Sequence, residues 1–145
     1  MCIREPTLGG NMKHKDLTGK IIGCFFTVYN ELGYGFLEKV YENAMALELR
    51  RMGLKVVQQQ PIPVYYGPDV VGEYFADLVV KDKVIVELKA ARALADEHEA
   101  QLLNYLRATP YEVGLLLNFG PKPQFIRKAF DNIRKTTTWL PNEDD

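Results

Sequence analysis

Between residues 16 and 32 the apolar side chains Leu17, Ile21, Ile22, Phe25, Val28, Tyr29 and Leu32 recur at three- and four-residue steps, the period of a helix with one buried face. Gly33 and Gly35 stop that pattern, and Tyr34 between them marks a tight link. A second stripe, Leu37, Val40, Ala44 and Leu47, predicts a helix over residues 36–52, closed by Gly53. The period then drops to two. Residues 54–57, 64–66, 71–80 and 84–89 are short, rich in β-branched and aromatic side chains, and separated by Pro or Gly-Pro signals, so they read as strands. Lys81, Asp82 and Lys83 form a compact polar turn between the last two, which predicts a hairpin. A helix follows over residues 96–107, with Thr109 and Pro110 closing it. Residues 112–118 read as a buried strand, Gly120-Pro121 as a turn, and residues 124–130 as either an edge strand or a short helix.

This order predicts one α/β domain over residues 16–135, a central mixed β-sheet flanked by helices, between a flexible leader (1–15) and a flexible tail (136–145). The 145 residues, 47% hydrophobic and 11% aromatic, suffice for one sizeable core. Charged residues make up 26% and nearly cancel, 18 basic against 19 acidic, which excludes a chain held open by repulsion and a basic nucleic-acid coat. No apolar run is long enough to span a membrane, and the leader has no secretory core. Two cysteines, Cys2 and Cys24, form neither a disulfide framework nor a zinc site, and a cytoplasmic location is expected.

The candidate chemistry lies in YFADLVVKDKVIVELKA, residues 74–90. On a strand, Ile85, Glu87 and Lys89 share one face and Val84, Val86 and Leu88 the other. Asp77 and Glu87 are an even number of residues apart around a three-residue turn, so a regular hairpin sets them opposite each other on one face. Paired carboxylates are hard oxygen ligands for Mg²⁺ or Mn²⁺, and a lysine beside them can stabilise charge on a phosphate or orient a water. The competing explanation is a surface Glu87–Lys89 ion pair on a half-exposed strand, worth about 0–1 kcal/mol.

Two further sets stand near it in the pattern. Glu38 opens the second helix on a stripe with Tyr41 and Met45; it reads either as the N3 acid of a capping box with Gly35 as N-cap, or as a carboxylate directed along the sheet. Gln101 and Tyr105 are four apart on the third helix, with His98 on the same side, either a polar flank or an amide–phenol pair aimed at the hairpin. His98 itself reads as a surface side chain.

The stretch VYNELGYGFLEKVYENAMALELRRMGL, residues 28–54, resembles the signature of the bacterial GxxExxY proteins, with Gly35, Glu38 and Tyr41 as its namesakes. That family is grouped with the PD-(D/E)XK nuclease superfamily. Asp77 followed by Glu87 and Lys89 resembles the superfamily's split D…ExK motif, and QLLNY, Gln101 to Tyr105, resembles the QxxxY motif of its RecB-like branch. Ala76 stands where the pattern has proline, a shaping residue without a reactive group. The resemblance covers roughly residues 17 to 130 and implies a restriction-endonuclease-like core, α-β-β-β-α-β with an extra N-terminal helix. It implies Mg²⁺- or Mn²⁺-dependent phosphodiester hydrolysis in DNA, with RNA second, Glu38, Asp77 and Glu87 as metal ligands and Lys89 assisting the water. Gln101 and Tyr105 would position the substrate. The alternative is a non-catalytic nucleic-acid-binding or assembly module with the same fold.

Residues 121–135 carry five basic side chains, Lys122, Arg127, Lys128, Arg134 and Lys135, against Asp131 alone. Lys122, Arg127 and Lys128 are candidate phosphate contacts; Lys13, Lys15 and Lys20 form a second basic group. So few cations predict modest affinity for nucleic acid unless a homodimer or a partner protein adds to them.

Overall fold

The computed structural model describes residues 13–135; the tail and the first twelve residues of the expected leader lie outside the described residues. The elements run α1 (Lys15–Leu32), α2 (Glu38–Arg51), β1 (Val56–Tyr66), β2 (Asp69–Val80), β3 (Val84–Lys89), α3 (Asp96–Arg107), β4 (Val113–Phe119) and β5 (Pro123–Ala129), then a 3₁₀ turn at Asn132–Arg134. The sheet order is β1-β2-β3-β4-β5; only the β3–β4 pair, bridged by α3, is parallel. This is the mixed sheet flanked by helices that the periodicity predicts.

The two central strands explain the two-sided burial. Val84, Val86 and Leu88 of β3, with Val113, Leu115, Leu117 and Phe119 of β4, pack against Ile21, Phe25 and Val28 of α1 and Tyr41, Met45 and Leu49 of α2. Ile85 and Leu116 point the other way, onto Leu102, Tyr105 and Leu106 of α3. Strands buried on both faces need near-continuous apolar runs, which VIVEL and VGLLL supply. Each fully buried Leu, Ile or Phe contributes about 1.5–3 kcal/mol.

Four expectations change. Residues 54–57 and 64–66 are not separate strands: β1 runs through Pro61 and Pro63, tolerated because β1 is an edge strand whose outer side needs no N–H donors. Residues 124–130 resolve as strand, again an edge. α2 begins at Glu38 with Leu37 as N-cap and no side-chain cap bond, so the Gly35–Glu38 capping box does not form. Residues 13–15 belong to the fold: Lys13 pairs with Glu112 at 3.1 Å and Asp131 at 3.3 Å, and α1 starts at Lys15.

Tyr41 organises the link between α1 and α2. Its ring is fully buried and stacks on Phe119 of β4 at 4.2 Å and 14°. Its hydroxyl donates to Gly33 O at 2.7 Å and accepts from Phe36 N–H at 3.2 Å. Gly33 and Gly35, at φ 65 and 113, take the left-handed conformations this short link requires.

Candidate active site

The ladder between β2 and β3 runs Val80↔Val84, Val79↔Ile85, Leu78↔Val86, and there it stops. At the next position the side chains take over. Asp77 N–H donates to Glu87 Oε2 at 2.8 Å, and Leu88 N–H donates to Asp77 Oδ2 at 2.8 Å. The even spacing around residues 81–83 thus brings Asp77 and Glu87 together, as a reciprocal pair that seals the end of the strand contact.

The surroundings of this pair exclude the surface ion pair. Glu87 is 5% exposed. Burial, followed by the Asp77 charge, pushes its carboxyl up to about 8, against the pull of the Asp77 N–H and the Lys89 ammonium. Burial also raises Asp77, although Leu88 N–H and the Gln59 amide favour its ionised form. A buried and a half-buried acid are therefore held where like charge and desolvation both oppose ionisation.

Other site residues converge on the same end of β3. Glu38 Oε2 accepts from Ala90 N–H, just beyond the strand, at 3.3 Å. Lys89, the last residue of β3, is half-buried beside Asn118 of β4. Gln101 Nε2 donates to the Tyr105 hydroxyl at 3.0 Å. Tyr105 is more than a polar flank: it is buried in the α3 core, and burial, with the Glu87 and Asp77 charges, pushes its phenol up to about 12. The half-exposed Tyr74 of β2 leans on it, ring centroids 5.7 Å apart. His98 serves α3 instead, its Nδ1 accepting from Ala95 N–H at 3.0 Å.

The basic candidates separate. Lys122 is exposed in the β4–β5 turn, at the same end of the sheet as Lys89. Arg127 is 6% exposed and donates to Lys13 O at 2.6 Å, and Lys128 pairs with Glu99 of α3 at 3.0 Å. Both are thus engaged in holding the fold together, which their sequence neighbourhood does not reveal. Lys15 and Lys20 line a basin at the far end of β3, with His14, Lys81 and Lys83.

Pattern reading misses a polar cluster beside Asp77. Glu42 of α2, 4% exposed, accepts from Lys39 Nζ (3.1 Å), Gln58 Nε2 (2.7 Å) and Gln59 Nε2 (2.8 Å), and Gln59 Nε2 also donates to Asp77 Oδ1 at 3.3 Å. Glu38, Lys39, Glu42, Gln59 and Asp77 line a cleft of about 310 Å³. The run QQQ at 58–60 is the one available signal, amide side chains where a strand would alternate.

The donor chemistry around Asp77 and Glu87 is all oxygen and acidic, which fits a hard divalent cation. As they stand, among the described residues no three His, Cys, Asp or Glu side chains gather closely enough to hold one.

The sequence matches the PD-(D/E)XK nuclease superfamily over residues 15–128, from the first residue of α1 to the penultimate residue of β5. The chain belongs to the PD-(D/E)XK nuclease superfamily. Among solved structures, the crystal structure of SSO0001 matches with a TM-score of 0.51 at 16% identity, over 83% of this chain and 61% of that one. This PD-(D/E)XK chain thus spans about three fifths of that protein's length. The alkaline exonuclease LHK-Exo from Laribacter hongkongensis matches at a TM-score of 0.48 and 12% identity, over 83% and 73% of the two chains. No curated protein matches the sequence. Among the described residues no helix is long and apolar enough to cross a membrane.

Proposed function

We propose that the protein is a divalent-cation-dependent nuclease of the bacterial GxxExxY type, in the RecB-like branch, hydrolysing phosphodiester bonds in DNA, with RNA as the second candidate, in the cytoplasm. The observation that carries this reading is the reciprocal Asp77–Glu87 pair: a buried and a half-buried acid take up backbone N–H groups just past the last rung of the β2–β3 ladder. Asp77 and Glu87 would hold Mg²⁺ or Mn²⁺, with Glu38 as the third acid. When bound, the cation lowers the pKa of a coordinated water and offsets charge on the phosphate.

The chain's own residues do the rest. Leu88 N–H and the Gln59 amide fix the Asp77 carboxylate before any ligand arrives. Lys89 presents an ammonium to the non-bridging oxygens, where negative charge grows as a water forms one P–O bond and the ester P–O bond breaks. The Gln101–Tyr105 pair, held in the acids' field, positions the strand backbone. Lys122 adds a phosphate contact at the same end; Arg127 and Lys128 contribute to such contact only if their present partners release them.

The test incubates supercoiled plasmid and labelled single strands with Mg²⁺ or Mn²⁺, beside Asp77→Ala and Lys89→Ala. Cleavage that disappears in both variants supports the proposal; absent cleavage, or cleavage equal in the variants, rejects it. One observation favours the second reading, a nucleic-acid-binding or assembly module without turnover: Glu38 is not gathered with Asp77 and Glu87 into a three-acid site. Salt-sensitive DNA binding that persists in Asp77→Ala, without cleavage, selects that reading. Light scattering decides whether a homodimer forms.

A further inference from the structure

Residues Gln58 and Gln59 are consecutive on a strand, yet both side-chain amides reach the same carboxylate, Glu42. A regular strand sends successive side chains to opposite faces. The alternation breaks because Gln59 takes a left-handed backbone, φ 55, a conformation that costs a non-glycine residue on the order of 1–3 kcal/mol. The ladder records the same break: Gln58↔Leu78 and Gln60↔Ala76 pair, and the Gln59–Asp77 rung between them is missing. Across the gap the faces invert. Leu78 enters the core under α1 and α2, whereas Ala76, two residues earlier, enters the core under α3.

This kink acts on Asp77. Gln59 faces acceptors on two sides, Glu42 Oε1 at 2.8 Å and Asp77 Oδ1 at 3.3 Å, so its amide nitrogen serves both. Glu42 is acceptor-only and is fixed in turn by Lys39 and Gln58, so it sets which end of the Gln59 amide turns inward. With Leu88 N–H on Oδ2, both Asp77 oxygens are held by hydrogen bonds.

We infer that Gln59, anchored by Glu42, is a positioning residue that fixes the Asp77 carboxylate for a divalent cation. The inference rests on the proposed cation-dependent reading of the site. Removing an outer hydrogen-bond partner of a ligating carboxylate lowers metal affinity or activity roughly 10–100-fold.

The test compares the full chain with Gln59→Gly and Gln59→Ala. Glycine suits the left-handed backbone and removes the amide; alanine removes the amide and keeps the backbone penalty. Mn²⁺ binding is read by electron paramagnetic resonance, thermal unfolding in EDTA, and cleavage as kcat and KM. Both variants are expected to unfold cooperatively in EDTA, with glycine no less stable than alanine, and both to lose roughly 10–100-fold in Mn²⁺ affinity. kcat should fall with KM for DNA unchanged. Unchanged Mn²⁺ affinity in either variant overturns the inference, as does a loss confined to glycine, which would assign the effect to backbone freedom. A wild-type protein that binds no Mn²⁺ overturns both this and the cation-dependent reading; a wild type that binds it with both variants unaffected overturns this inference alone.

Discussion

Glu87→Gln in the metal-free protein tests the electrostatic account of the site directly. Glutamine keeps the shape and can still accept the Asp77 N–H bond that Oε2 holds at 2.8 Å, but it carries no charge. In the unfolded chain Glu87 titrates near 4.5; in the fold burial and Asp77 hold it near 8. Below the lower value both states are protonated and the folded protein suffers no penalty. Between the two values the unfolded chain releases its proton while the folded one retains it, so stability falls as pH rises. Above the upper value the loss is complete. At roughly 1.4 kcal/mol per pKa unit the loss is on the order of 5 kcal/mol, a large part of a typical domain's stability of about 5–15 kcal/mol. His14, whose imidazole is lowered first by burial and then by Lys83, is common to both proteins and cancels in their difference. Urea unfolding in EDTA at pH steps from 5 to 8.5 should therefore show Glu87→Gln gaining steadily on the wild type. Added Mn²⁺ at pH 8 should restore much of the wild-type stability and little of the variant's. Parallel pH profiles for the two proteins in EDTA would refute the burial-and-repulsion argument.

Other expectations concern the scaffold. Gly120→Ala places a methyl against the Ala91 carbonyl, backbone that cannot yield, and 2.9 Å from the Asn118 side-chain Nδ2, and should cost about 1–3 kcal/mol in urea unfolding; Gly72→Ala, with open space around it, should be close to neutral. Gly114→Ala meets only the Leu102 side chain, at 2.7 Å, so a milder loss than at Gly120 is expected from the same measurement. Tyr41→Phe removes the hydroxyl bonds to Gly33 O and Phe36 N–H and should lower stability by about 1–2 kcal/mol, with the ring stack on Phe119 kept. Cys24 is buried, and burial pushes its thiol up to about 11, so in a Cys2→Ser background a thiol reagent at pH 8 should label the protein only after denaturant is added.

The central sheet is legible in the sequence because β3 and β4 are buried on both faces, and unbroken apolar runs admit few other placements. Asp77 opposite Glu87 follows from parity alone, since a three-residue turn fixes the register. Legibility ends where the chain departs from a regular period. The prolines of β1 read as breaks until its edge position is known. Nothing local announces a left-handed glutamine, so Gln59 and its anchor Glu42 stay hidden. Arg127 and Lys128 read as free cations because their partners, Lys13 O and Glu99, come from distant parts of the chain.

The stacked Tyr41–Phe119 pair has a mechanical consequence for Glu38, which stands three residues before the tyrosine on α2. Axial sliding of that helix would have to unseat an aromatic peg wedged on β4 and tear its hydroxyl from the glycine link. Gly35, Glu38 and Tyr41 thus behave as joint, arm and bolt, and the reach of Glu38 toward the tip of β3 is set by a contact lying outside the cleft.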